Sequence, residues 1–159
     1  MLRPSAFLLD QASGGGADGA MTGTRSFTTP PSLEDLTSLA EAALAAIPRR
    51  LARHLEGVGI MVEEQADGAT LKEMELDSPW DLTGLYRGTP LTSRSISQPA
   101  RMPDTIFLYR EPILLEWIET GIDLRALVCN VVVHEVAHHF GFSDADIAAL
   151  DEETGHGEQ

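Results

Sequence analysis

Apolar residues recur every three or four positions in several stretches of the chain, a spacing that predicts helices with one buried face. The first stretch follows Ser32, a typical N-cap with Asp35 three residues later, and it ends before Pro48. Further helices are predicted over residues 49–56, 111–120, 124–140 and 145–150.

Two apolar runs bounded by glycine, proline or polar residues are typical of short strands, and they cover residues 58–64 and 104–110. Between them, residues 65–79 are predicted to form an acidic loop with a turn of helix near Leu71. Residues 80–95 combine two aromatics with glycine, proline and arginine. That composition suits a structured loop beside a site, or equally a connection whose aromatics fill the core.

Length and composition indicate one domain between two irregular ends. The chain has 159 residues, which suits a single core. Residues 1–31 are rich in glycine, serine and threonine and are expected to be a flexible leader. Residues 151–159 are expected to be an acidic tail, which leaves residues 32–150 as the domain.

Charge and cysteine content narrow the class of protein. The formal net charge of −14 argues against nucleic acid and against anionic membrane surfaces as partners. No apolar run approaches the roughly 18 residues of a membrane helix, and no signal peptide is evident. Cys129 is the only cysteine, so no intramolecular disulfide can form. The expected location is the cytoplasm, and no oligomeric state is indicated.

The candidate chemistry lies at the end of the 124–140 helix. His134 and His138 are four residues apart, so on a helix both imidazoles project from one face and can bind one Zn²⁺. Glu135 is rotated about 100° from His134, where it can reach a water on the open side of the metal. This division into two ligands and one general base is that of H-E-x-x-H metallohydrolases.

A third ligand is expected just beyond this helix. Gly141 stands where a residue with positive φ commonly ends a helix, and Asp144 follows within about 10 Å of extended chain. Asp144 is therefore the predicted third ligand of an open site, with Asp146 as the alternative because helix ends are uncertain by a residue or two. His139 points about 100° away from His138 and is expected beside the site or at the surface rather than on the metal.

Several motifs together resemble a known family. The order H-E-x-x-H-x-x-G-x-x-D is similar to the extended zinc motif of metzincins, with aspartate in place of the third histidine and no methionine after Met102. Together with the segments Gly84-Leu85-Tyr86-x-Gly88-x-Pro90-Leu91-x-x-Arg94-Ser95 and Pro103-Asp104-x-Ile106-x-Leu108, it resembles the small bacterial zincin-like metallopeptidases, or minimal zincins.

The resemblance covers about residues 32–150 and implies a compact α+β domain, with a small sheet packed against helices that include the H-E-x-x-H helix. It implies Zn²⁺ on His134, His138 and Asp144, with Glu135 as the base in hydrolysis of a peptide or protein substrate. Tyr86 or Arg94 could contact the oxyanion or the substrate if their loop folds over the metal. The alternatives are a metal-stabilised binding module without hydrolysis, and an amphipathic helix that binds no metal.

Overall fold

A three-stranded mixed sheet separates two apolar layers of the protein, whose computed structural model describes residues 28–94 and 103–146. The strands are β1 (Gly59–Glu63), β2 (Gly84–Arg87) and β3 (Thr105–Tyr109), in the order β1-β3-β2. Central β3 runs parallel to β1 and antiparallel to β2. The helices are α1 (Leu33–Ala45), α2 (Arg49–Ala52), α3 (Gly68–Glu73), α4 (Arg110–Thr120) and α5 (Leu124–His139). The expected α+β fold, with helices packed on a small sheet, is confirmed.

The main core lies between one face of the sheet and helices α1 and α5. Ile106 and Leu108 of β3 are completely buried on this face. They pack in one cluster with Leu36 of α1 and with Val128 and Val132 of α5. Because residues alternate between faces along a strand, Phe107 and Tyr109 turn the other way. They form a second cluster with Ala66, Leu82 and nearby leucines and methionine.

The helix that carries the predicted ligands is stabilised at its start and along its buried side. The Asp123 carboxylate accepts from the Ala126 N–H at 3.1 Å and so caps α5. The valine run 131–133 is helical, although β-branched residues weakly disfavour helix. Val131 and Val132 are at most 4% exposed, so their burial in the core outweighs that weak preference.

Residues 80–94, the described part of the predicted 80–95 loop, differ from that prediction. They contain strand β2, which follows a 3-10 turn at Pro79–Asp81 and precedes another at Leu91–Ser93. A four-residue strand that begins with glycine has little alternating pattern, so the sequence gives no strong strand signal. It is a strand because it pairs with β3, whose partner residues lie 18 to 24 positions further along the chain.

Helix ends also differ from the predicted ones. Helix α1 stops at Ala45 because Pro48 excludes helical conformation for the residue before it. Helix α2 spans four residues rather than the predicted eight, and the chain then turns through Gly57 with φ of +81°. The turn of helix predicted near Leu71 is α3, which begins earlier, at Gly68, after the cap residue Asp67.

Residues 1–27 of the predicted leader and the whole predicted tail, 151–159, lie outside the described residues. Of the predicted helix 145–150, only residues 145 and 146 are described, and both are helical. In the described ranges, 28–94 and 103–146, none of the helices has the length and apolar character needed to cross a bilayer.

Close packing of β2 against α5 predicts a strong effect of one added methyl group. A Cβ at Gly84 would lie 2.6 Å from Val131 Cγ1 and 3.3 Å from Glu135 Cγ, so Gly84→Ala must push the strand and helix apart. We expect it to lower the free energy of unfolding by about 1–3 kcal/mol. Gly59→Ala is the matched control, because its nearest neighbour would be 3.9 Å away. Denaturant unfolding should separate the two variants, and equal stabilities would contradict this packing.

Candidate metal centre

Three side chains at the end of α5 bring their donor atoms into one small triangle. His134 Nε2 and His138 Nε2 are 3.2 Å apart. Asp144 Oδ1 lies 3.2 Å from His134 Nε2 and 3.1 Å from His138 Nε2. Two zinc ligands at tetrahedral angles and about 2.0–2.1 Å from the metal are about 3.3–3.4 Å apart. The triangle therefore matches one face of a zinc coordination tetrahedron to within about 0.3 Å.

The turn after α5 places Asp144 in this triangle. The Gly141 N–H donates to the His138 carbonyl and the Phe142 N–H to the Ala137 carbonyl, a Schellman motif that ends the helix. Gly141 has the expected positive φ, +94°, and its missing Cβ would overlap the side chain of Thr92. Glycine is thus required at this position for both conformation and space.

The same turn fixes the protonation of His138. Its Nδ1 is 2.9 Å from the Phe142 carbonyl oxygen. A carbonyl oxygen can only accept, so Nδ1 carries the hydrogen. In the neutral ring, Nε2 then has no hydrogen and carries a lone pair. That lone pair faces the Asp144 carboxylate and a nitrogen of His134. Two imidazole nitrogens and a carboxylate oxygen are donors of the kinds that zinc prefers, so the chemistry of this triangle fits a zinc ion.

The structure distinguishes between the two candidate aspartates. Asp146 accepts from the backbone N–H of Ser143 at 2.8 Å and from its hydroxyl at 2.6 Å. The Ser143 hydroxyl in turn accepts from the Asp146 N–H at 3.2 Å, which completes a capping box. These hydrogen bonds lower the pKa of Asp146. Asp146 is thus used to start the next helical turn, and Asp144 is the carboxylate that faces the histidines.

Glu135 is buried beside the triangle and held by strand β2. Its carboxyl oxygen Oε2 accepts from the backbone N–H of Tyr86 at 2.8 Å, and only 6% of the residue is exposed. A ligand atom of Glu135 lies within 4.8 Å of those of His134 and His138. Burial raises the pKa of Glu135 to about 8, and the negative charge of Asp144 adds to the rise, while the bond from Tyr86 opposes it.

Comparison with known proteins identifies the family. The sequence model of the zincin-like metallopeptidases matches residues 55–154, which is more than half of the chain. The protein belongs to the zincin-like metallopeptidase family. Among curated proteins, no significant sequence match was found. The matched range includes the whole sheet, α5 and the donor triangle, so the motif resemblance and the family match rest on the same part of the zincin-like domain.

Tyr86 and Arg94, the predicted oxyanion or substrate contacts, both have partners inside the protein. The Tyr86 hydroxyl lies 3.0 Å from His139 Nδ1. Arg94 forms an ion pair with Asp104, and its Nε donates to the Thr89 carbonyl at 3.1 Å. Direct contact of either side chain with a substrate therefore stays a prediction, and it would compete with these bonds.

His139 is almost completely buried, which the sequence did not reveal. It points away from the donor triangle, since its two nitrogens lie against Tyr86 and the carbonyl of His54. The sequence contained a weak signal of burial, because His139 is four residues after Glu135 and seven after Val132 on the helix face that meets the sheet.

Replacing the third donor tests the triangle. Asp144→Asn removes the negative charge and the best oxygen donor, so we expect zinc affinity to fall at least about 100-fold. Mutating residues that only orient zinc ligands already lowers metal affinity about 10–100-fold. Asp146→Asn makes the same charge change two residues away and should leave affinity within a few-fold. Competition with a chromophoric chelator measures both affinities. Equal losses in the two variants would contradict the assignment of Asp144.

Proposed function

We propose that this zincin-like protein is a zinc-dependent peptidase in which Glu135 acts as the general base on peptide or protein substrates. The observation that carries the proposal is the meeting of two imidazoles and one carboxylate in a triangle with edges of 3.1–3.2 Å, next to a buried glutamate. Membership of the zincin-like metallopeptidase family supports the reaction type.

The residues present define which groups would do the chemistry. His134, His138 and Asp144 would hold the metal and leave a fourth position open. Zinc bound there would supply Lewis-acid polarisation of the scissile carbonyl and a water of lowered pKa. Glu135 would accept the proton of the attacking water and deliver it to the leaving amine.

The surroundings of Glu135 suit a group that both takes and gives a proton. Burial raises its pKa to about 8, whereas a dication at the neighbouring histidines would lower it again. Opposed shifts of this kind bring a carboxylate towards the neutral range, where general acid–base catalysis is most effective. The Tyr86 N–H bond holds the carboxylate in one direction without blocking both oxygens.

The proposal also includes a cellular location and a class of partner. A cytoplasmic location agrees with a chain that has one cysteine, since disulfides are rare in that compartment. Nucleic acid is not proposed as a partner because the net charge of −14 repels phosphate.

Glu135→Gln tests the role of the base. The amide keeps an oxygen that can accept from Tyr86, but it cannot take a proton, so hydrolysis of casein or a peptide library should fall by about 100-fold or more. Zinc content, measured by elemental analysis, should stay at one equivalent. Glu119→Gln, at an exposed position near the end of α4, is the matched control and should cleave like the unmodified protein.

Two outcomes would overturn the proposal. Undiminished cleavage by Glu135→Gln would show that another group is the base. If the zinc-loaded protein cleaves no substrate, the metal-stabilised binding module would replace the peptidase as the function of this site.

A further inference from the structure

His139 is hydrogen-bonded through both of its ring nitrogens. It is only 1% exposed, with Nε2 2.8 Å from the His54 carbonyl oxygen and Nδ1 3.0 Å from Tyr86 Oη. Because a carbonyl only accepts, Nε2 carries the hydrogen, and in the neutral ring Nδ1 accepts from the Tyr86 hydroxyl. Burial, with the negative charge of Asp104 beside it, raises the pKa of Tyr86 to about 12, and the hydroxyl is also hydrogen-bonded to Arg94 and Asp104.

Tyr86 contacts α5 at two points one helical turn apart. Its backbone N–H donates to Glu135 Oε2, and its hydroxyl is hydrogen-bonded to His139 Nδ1. Glu135 and His139 are four residues apart and so lie on the same face of the helix. One residue of β2 therefore joins the strand to α5 through both its main chain and its side chain.

The sheet pattern leaves the Tyr86 N–H available for this role. The Tyr109 N–H donates to the Thr83 carbonyl at 2.9 Å, which fixes the alternation of the antiparallel pair β2–β3. By that alternation, the N–H of Leu85 points to β3 and that of Tyr86 points away from it. The Tyr86 N–H is thus aimed at α5, where Glu135 is its acceptor.

The aromatic ring of Tyr86 has little room to move. It meets the His139 ring edge to face, with centroids 5.4 Å apart. A Cβ at Gly88 would lie 2.5 Å from Tyr86 Oη, so only glycine at this position leaves space for the hydroxyl. Asp104, which is paired with Arg94, lies on the same side, with Oδ2 3.6 Å from His139 Nδ1.

We infer that Tyr86 and His139 are a positioning pair that orients Glu135. The hydroxyl–imidazole bond fixes β2 against α5, and this fixes the direction from which the Tyr86 N–H holds the carboxylate. In this role Tyr86 acts through Glu135 and does not touch the substrate. The structural part of the inference stands on these contacts alone, and its kinetic part rests on the proposed peptidase function.

Amide hydrogen exchange of the full chain loaded with zinc tests the structural part. In Tyr86→Phe the residue 86 amide should exchange about tenfold faster, because the strand is less firmly held against Glu135. The Leu85 amide, directed at β3, is the internal reference and should be unchanged. Tyr109→Phe, which removes a buried hydroxyl from the other face of the sheet, should leave the residue 86 amide protected. Unchanged exchange at residue 86 in Tyr86→Phe would overturn the inference.

Peptide hydrolysis tests the kinetic part. Tyr86→Phe should lower kcat about tenfold, with KM and zinc affinity unchanged, because a misdirected base slows only the chemical step. The same substitution in a His139→Leu background should cost little more, because the hydroxyl has lost its partner on α5. Tyr109→Phe should keep the unmodified kcat.

Other results would identify a different role. An equal loss of kcat in both backgrounds, with residue 86 protection intact, would make Tyr86 a substrate or oxyanion contact and overturn the inference. A lower melting temperature with unchanged kcat and unchanged exchange would show a purely structural role and also overturn it. If His139→Leu does not fold, exchange in Tyr86→Phe alone decides. If the unmodified protein hydrolyses nothing, the peptidase proposal fails while the exchange result still decides on the positioning pair.

Discussion

The end of α5 is organised around two imidazole nitrogens and a carboxylate oxygen that lie within 3.2 Å of one another. Atoms of these types at this separation attract a shared cation. The Schellman turn at Gly141 provides the geometry, because it reverses the chain and delivers Asp144 to the histidines. It also supplies the Phe142 carbonyl that keeps the proton of His138 on the nitrogen away from the triangle.

The sheet edge is as much a part of the site as the helix. Helix α5 presents His134 and His138 on one side and Glu135 on another, and the second side is covered by β2. Gly84 permits this close approach, since its absent Cβ leaves space for Val131 and Glu135. Burial of Glu135 raises its pKa because the charged form loses hydration, so one packing contact sets both the position and the acidity of the group.

Much of this arrangement could be predicted from the sequence, since it depends on local spacing. The i, i+4 histidines, the glycine that ends the helix and the S-x-x-D cap of α1 are each contained within a few residues. The choice between Asp144 and Asp146 was also available locally, because Ser143-x-x-Asp146 repeats the pattern of Ser32-x-x-Asp35. Strand β2 was not, because its partners in β3 lie 18 to 24 residues away. The buried state of His139 had only a weak local signal, because it depends on His54, 85 residues away.

A zinc-edge anomalous diffraction experiment on crystals of the zinc-loaded protein tests the central claim most directly. We predict one strong peak, about 2.0–2.2 Å from His134 Nε2, His138 Nε2 and a carboxylate oxygen of Asp144. A peak elsewhere, or none, with the two imidazoles turned away from each other, would contradict the account.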